Sequence, residues 1–177
     1  TEFVSGELAE HARLGRDGLT GEEEKRLAQA EYQYLCQSVK RLSERAQWDQ
    51  AALAAERALR TGCGTKIEHC EIRLKQTEAL GWLGRRADLQ VCASDLERLG
   101  RETGDVKYEL GGLALGANNL INMGELAQAE AMLVRASTLA DARGGCESRA
   151  KARMDLGLLC SARGEHEKQE ALSLEAL

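Results

Sequence analysis

The 177-residue sequence contains no proline, and Phe, Trp and Tyr together make up only 3% of it. Without proline, no helix is broken or closed by that residue. β-Branched residues are sparse, so strands are not expected. No apolar run approaches the length of a membrane span. No charged start followed by an apolar block suggests a secretory signal. Basic residues do not cluster with aromatics, and the formal net charge is -5. Direct binding to nucleic acid is therefore not expected, because phosphate neutralisation needs grouped Lys and Arg. The six cysteines (36, 63, 70, 92, 146 and 160) form no CxxC pair. Cys36, Cys92 and Cys160 fall among apolar helical positions, where a thiol behaves as a small hydrophobe. Reduced thiols in a cytoplasmic setting are the expectation.

Catalytic signatures are missing too. "TGCGTK" (61–66) lacks phosphate-loop spacing and a preceding strand, so it reads as a helix-to-helix turn. "HEKQE" (166–170) begins like a zinc motif, but Glu170 stands where the second His is needed. His69 and Cys70 are adjacent and point in different helical directions. His11, His69 and His166 are too scattered to propose a metal site. No base is marked to activate a cysteine. Neither an enzyme nor a cofactor is expected.

What the sequence has is Ala, Leu, Glu and Arg in quantity, which favours helix. It also has a period. "GANNLINMGELAQAEAMLVRAS" (116–137) holds two helical faces joined at Gly124-Glu125. Similar turns centre on Ala46, Gly84 and Gly164, so the marks lie 38, 40 and 40 residues apart. Five residues after each mark stand Ala51, Leu89, Ala129 and Gln169. Twelve after stand Ala58, Leu96, Ala136 and Ala176. Seven before stand Val39, Thr77, Ala117 and Gly157, and four before stand Leu42, Leu80, Leu120 and Cys160. Small residues take the columns where helices cross closely. Glycine at the mark suits a left-handed backbone.

Helix punctuation fits this frame. "TGEE" (20–23) and "TKIE" (65–68) both read as capping boxes, and Asp105 reads as an N-cap. Eight helices are expected at about 21–45, 47–61, 66–82, 85–102, 105–122, 125–142, 147–162 and 165–177. They pair as hairpins 21–62, 65–104, 105–144 and 146–177. The N-terminal segment 1–19 is expected to combine a cloning remnant, Thr1-Glu2-Phe3, with a short helix at 3–15 ending a preceding hairpin. A plain antiparallel bundle would give similar helices but not small residues in register every 40 positions.

The pattern Leu113, Gly116, Ala117, Leu120, Gly124, Ala129, Leu133 and Ala136 resembles the tetratricopeptide repeat (TPR), and the likeness runs over about residues 21–177. Repeat one has Val39 and Ala46 where the family has a small residue and glycine. Repeat two has Leu89 and Leu96 for the usual alanines. The period exceeds the family's 34, as in the long-helix arrays of large bacterial regulators and kinesin-light-chain-like adaptors. With no proline to close it, the second helix of each pair is expected to run on.

The resemblance implies an all-α, TPR-like superhelix of about four hairpins whose first helices line a concave groove. Transferred to this sequence, the groove positions include Lys40 and Glu44 in repeat one, and Lys75, Glu78 and Trp82 in repeat two. Repeat three contributes Asn118 and Asn122, and repeat four Asp155. In the family an asparagine at the column of Asn118 grips a partner's backbone; the other reading is that Asn118 and Asn122 are merely solvated or bridge adjacent hairpins. Trp82 is either a groove-edge contact or a packing residue, and Trp48 reads as structural. The carboxylate clamp of chaperone-binding members is not expected, since only Asn118 matches. The implied function is binding of a protein or peptide by the recognition or sensor arm of a larger regulator. The alternative is self-association, as a homodimer through a C-terminal hairpin that lacks a polar capping helix.

Overall fold

The computed structural model describes residues 4–176; the expectation for Thr1-Glu2-Phe3 falls outside them. Among the described residues the chain is helical, with no strand. The helices are α1 (Val4–Leu14), α2 (Glu22–Glu44), α3 (Trp48–Arg60), α4 (Lys66–Trp82), α5 (Arg86–Thr103), α6 (Val106–Met123), α7 (Leu126–Arg143), α8 (Cys146–Ala162) and α9 (His166–Glu175). None of them is long and apolar enough to cross a membrane. They fall into two compact units, residues 1–85 and 86–177. The expected hairpin at 65–104 is divided by this boundary, with α4 in the first unit and α5 in the second.

In the first unit, α1 packs on α2, α2 on α3 and α3 on α4, and α2 also meets α4. In the second, α5 to α9 pack in succession, and α6 also meets α8. The repeat columns supply the core. Ala51, Ala58, Val39, Thr77, Ala117, Ala129, Leu96 and Ala136 are all buried. In the first unit Tyr32, Leu35 and Val39 of α2 pack with Ala54, Ala55 and Ala58 of α3 and Ile72 of α4. In the second, Ala117 and Leu120 of α6 meet Ala129 and Leu133 of α7 and Leu159 of α8. Glycine brings α5 and α6 closer still. A Cβ on Gly112 would lie 2.4 Å from the Glu97 backbone nitrogen, and one on Gly100 would lie 2.2 Å from that of Glu109.

The four marks share one backbone conformation. Ala46, Gly84, Gly124 and Gly164 have φ of 55°, 67°, 80° and 74°. In each case the next residue's N–H donates to the carbonyl four residues before the mark. These bonds are Gln47 to Leu42 at 2.9 Å, Arg85 to Leu80 at 3.0 Å, Glu125 to Leu120 at 2.9 Å and Glu165 to Cys160 at 2.9 Å. This pairing satisfies carbonyls that a helix end otherwise leaves open.

The caps divide. Thr65 accepts from the Glu68 N–H while the Glu68 side chain accepts from the Thr65 N–H, a complete capping box. Asp105 caps α6 by accepting from the Lys107 N–H. The box expected at Thr20 does not form: α2 is capped by Gly21 at φ 76°, with no side-chain bond. The left-handed glycine turns Thr20 out of the capping position. Second helices α5 and α7 run to 18 residues each, but α3 stops after 13. Gly62 and Gly64, both left-handed, end it there. The "TGCGTK" stretch is the α3–α4 connection. Thr61 Oγ1 donates to the Ala58 carbonyl and accepts from the Cys63 N–H.

Ala46 carries a Cβ into a conformation that disfavours one by about 1–2 kcal/mol. Ala46→Gly is therefore expected to raise the urea midpoint of the protein, with a net gain of about 1 kcal/mol after the entropy of the added glycine is subtracted. An unchanged or lowered midpoint would show that the turn carries no strain at this residue.

Candidate functional site

The expected groove residues belong to α2 and α4 in the first unit and to α6 and α8 in the second. On α2, Lys40 and Glu44 are exposed. On α4, Lys75 Nζ lies 2.9 Å from Glu78 Oε2, an ion pair within one helical turn. The mixed charge on this face is thus partly internally compensated, and exposed pairs of this kind contribute little.

Trp82 is 72% exposed, although it is the last residue of α4. Its indole stacks on that of Trp48, at the start of α3, with centroids 5.6 Å apart and planes 12° apart. The two readings of Trp82 meet here. One face of the ring packs on a partner in the fold, and most of the side chain is left in solvent. The stack could not be read from sequence because the two residues lie 34 positions apart, on either side of the α3–α4 connection.

In the second unit Asn118 is a bridge between first helices. Its Nδ2 donates to Asp155 Oδ1 at 3.3 Å, from α6 to α8. Its Oδ1 is buried without a hydrogen-bond partner. Asp155 is only 7% exposed and so departs from the groove position expected of it. The outward residues of α8 are Lys151, Met154 and Leu158; Met154 is 60% exposed and Leu158 52%. Lys151, Met154 and Leu158 recur at helical spacing on one face, while Asp155 turns toward α6. Met154 was missed because the repeat columns were carried over unrotated from the other hairpins; its position four residues before Leu158 was the available signal. Asn122 is exposed, as expected. The adjacent Asn119 is structural: at 2% exposure, its Nδ2 donates to the Arg86 carbonyl at 3.1 Å and to Gln90 Oε1 at 3.0 Å.

A second polar feature lies away from these faces. Glu31 of α2 is buried. Arg16 Nη2 reaches its Oε2 at 2.5 Å, and Arg57 Nη2 of α3 approaches its Oε1 at 3.7 Å. Arg57 also donates to Glu10 of α1 at 3.0 Å. In the second unit Glu109 of α6 is paired with Arg101 of α5 at 3.3 Å. Arg101 and Arg135 of α7 both pair with Glu97 of α5. These ions tie helices together.

His69 Nε2 donates to the Cys63 carbonyl at 2.6 Å. All six cysteines are free thiols, and Cys70 and Cys92 are buried. Comparison with protein-family models and with curated proteins returned no match.

Burial pushes the Asp155 carboxyl above its ordinary range, against the opposing pull of the Asn118 hydrogen bond and the Lys151 charge. A carboxyl whose native pKa exceeds its unfolded one binds its proton more tightly in the folded state. Its contribution favours folding below the unfolded pKa and is lost as pH rises through the native one. Asp155→Asn, which keeps the shape and removes the charge, is therefore expected to stabilise the protein at pH 7, with the gain over the parent shrinking toward pH 4. Urea titrations of both proteins across that range test this. A pH-independent difference would remove the ionised carboxylate as its cause.

Proposed function

We propose that this chain is a TPR-type helical repeat that binds a protein or peptide segment along the outward faces of its first helices. The observation that carries the reading is the exposure of large side chains on those faces. Trp82 on α4, and Met154 and Leu158 on α8, are more than half exposed. Folding does not use them as core, and large exposed aromatic and apolar residues are what binding surfaces employ. Asn122 and Lys40 add polar contacts for a peptide backbone or side chain. Three further features support the repeat assignment. The marks share a left-handed turn, the core follows the repeat columns, and α2 meets α4 as α6 meets α8. The corresponding role is that of a recognition or sensor arm of a larger regulatory protein. Six free thiols fit a cytoplasmic setting.

The test is affinity capture from the source lysate with the parent chain and with a Lys40→Ala, Asn122→Ala, Leu158→Ala variant. All three residues are exposed, so circular dichroism should be unchanged. The expected outcome is a protein retained by the parent and released by the variant. Equal retention by both would move binding off these faces.

A second reading is self-association through the last hairpin, where Leu174 of α9 is 66% exposed. It predicts a dimer in sedimentation equilibrium that Leu174→Glu converts to a monomer. A parent chain that sediments as a monomer would end it.

A further inference from the structure

The first unit contains a cavity of about 770 Å³, walled by residues of α1, α2 and α3. A volume of this size accommodates a small organic molecule. Its wall has two parts. One is apolar, with Leu35, Leu42, Leu53 and Ala54. Leu53 is 60% exposed, so folding alone leaves it largely uncovered. The other part is rich in donors. Ser5 and Ser38 line the cavity and are each only 6% exposed. Ser38 Oγ donates to Ser5 Oγ at 3.0 Å, and Arg41 Nη1 reaches the same oxygen at 3.4 Å. Each hydroxyl carries one proton to donate. The serine pair uses one of its two, and the other meets no acceptor among the described residues.

The charged side chains on the wall are Arg41, Arg45, Arg57 and Glu44. Arg57 is taken up by Glu10 and Glu31, and Arg45 has an interaction of its own. Among the described residues Arg41 has no carboxylate partner; its hydrogen bond is the long one to Ser5. Glu44 stands three residues after Arg41 and is not paired with it. The polar end of the cavity therefore holds more donors than acceptors, with one guanidinium still able to take a carboxylate and one carboxylate set against a second negative charge.

We propose that this cavity binds a small monocarboxylic acid, with its carboxylate against Ser5, Ser38 and Arg41 and its apolar body over Leu42 and Leu53. A carboxylate brings acceptors without donors, and a guanidinium matches it in charge and plane. A primary amide of the same shape brings one acceptor and two donors, so it leaves the surplus in place. A dianionic head gains little more from the single guanidinium and meets Glu44. This site goes beyond the proposed peptide-binding faces and stands without them.

The experiment titrates the full chain by calorimetry with a panel of aliphatic and aromatic monocarboxylates. Each is matched by its primary amide and by the phosphate monoester of the same body. Four variants accompany the parent: Arg41→Gln, Glu44→Gln, Gly6→Leu and Lys75→Gln, the last on α4 and not on the cavity wall. Gly6 lines the cavity, and a Cβ there would meet no atom within 4 Å, so Gly6→Leu adds apolar volume to the wall. A monocarboxylate is expected to bind once per chain, about tenfold more tightly than its amide. Arg41→Gln should abolish that preference, Glu44→Gln should strengthen acid binding, and Lys75→Gln should change nothing. Gly6→Leu should weaken acid and amide alike. Absence of saturable binding across the panel, or equal binding of acid and amide, would overturn the proposal. Equal losses in Arg41→Gln and Lys75→Gln would overturn it too, by showing attraction to overall charge. A phosphate monoester held more tightly than its matched acid would overturn the carboxylate in favour of a dianion.

Discussion

One left-handed residue after the first helix of each repeat is the constraint on which the rest of the architecture depends. A helix cannot reverse until its last carbonyls find donors. At Ala46, Gly84, Gly124 and Gly164 the backbone steps into positive φ, and the following N–H closes back on the helix it has just left. That fixes where the next helix starts. It therefore fixes which residues of the two helices can meet. Ala51, Ala58, Ala129 and Ala136, five and twelve positions after the marks of the first and third repeats, are buried because the turn places them at the crossing. In the first repeat the constraint is met by alanine, so the geometry is imposed by packing rather than permitted by the residue.

Packing alone does not account for the polar residues inside. Seventy-eight residues after Glu31 stands Glu109, and seventy-eight after Arg57 stands Arg135. Each glutamate is buried on a first helix and paired with arginine from a neighbouring helix. Arg57 meets both Glu31 and Glu10 of α1, whereas Arg135 meets Glu97 of α5 and Glu109 is met by Arg101 of α5. The two units thus place related charges at equivalent positions but pair them differently. Removing the arginines would be costly because it leaves buried carboxylates uncompensated. Their contribution lies in fixing how a second helix, the next first helix and the following second helix align. The equivalent position is His69 in the second repeat and Arg149 in the fourth, so the ionic pattern alternates where the apolar pattern does not.

Much of this was legible in the sequence. The helices lie within a few residues of where glycine stops, Thr65 and Asp105 placed them, because those signals act through local backbone chemistry. The Thr20 box failed for a local reason as well: Gly21 takes the capping position in a conformation that removes the threonine from reach. The ionic columns were present in the spacing yet passed unread. A charged residue on a helical pattern reads as solvated face unless its partners, here many residues away, are known. Asp155 shows the same limit on the candidate site. The repeat frame put it in the groove, whereas contact between α6 and α8 rotates it inward to Asn118.

The outward faces that result differ in chemistry between the units. The first unit presents Lys40 and Glu44 on α2, the Lys75–Glu78 pair on α4 and the exposed Trp82 stacked on Trp48. The second presents Met154 and Leu158 with Asn122 and Lys151. Methionine and leucine adapt to varied apolar shapes, whereas a stacked indole discriminates by charge and planarity.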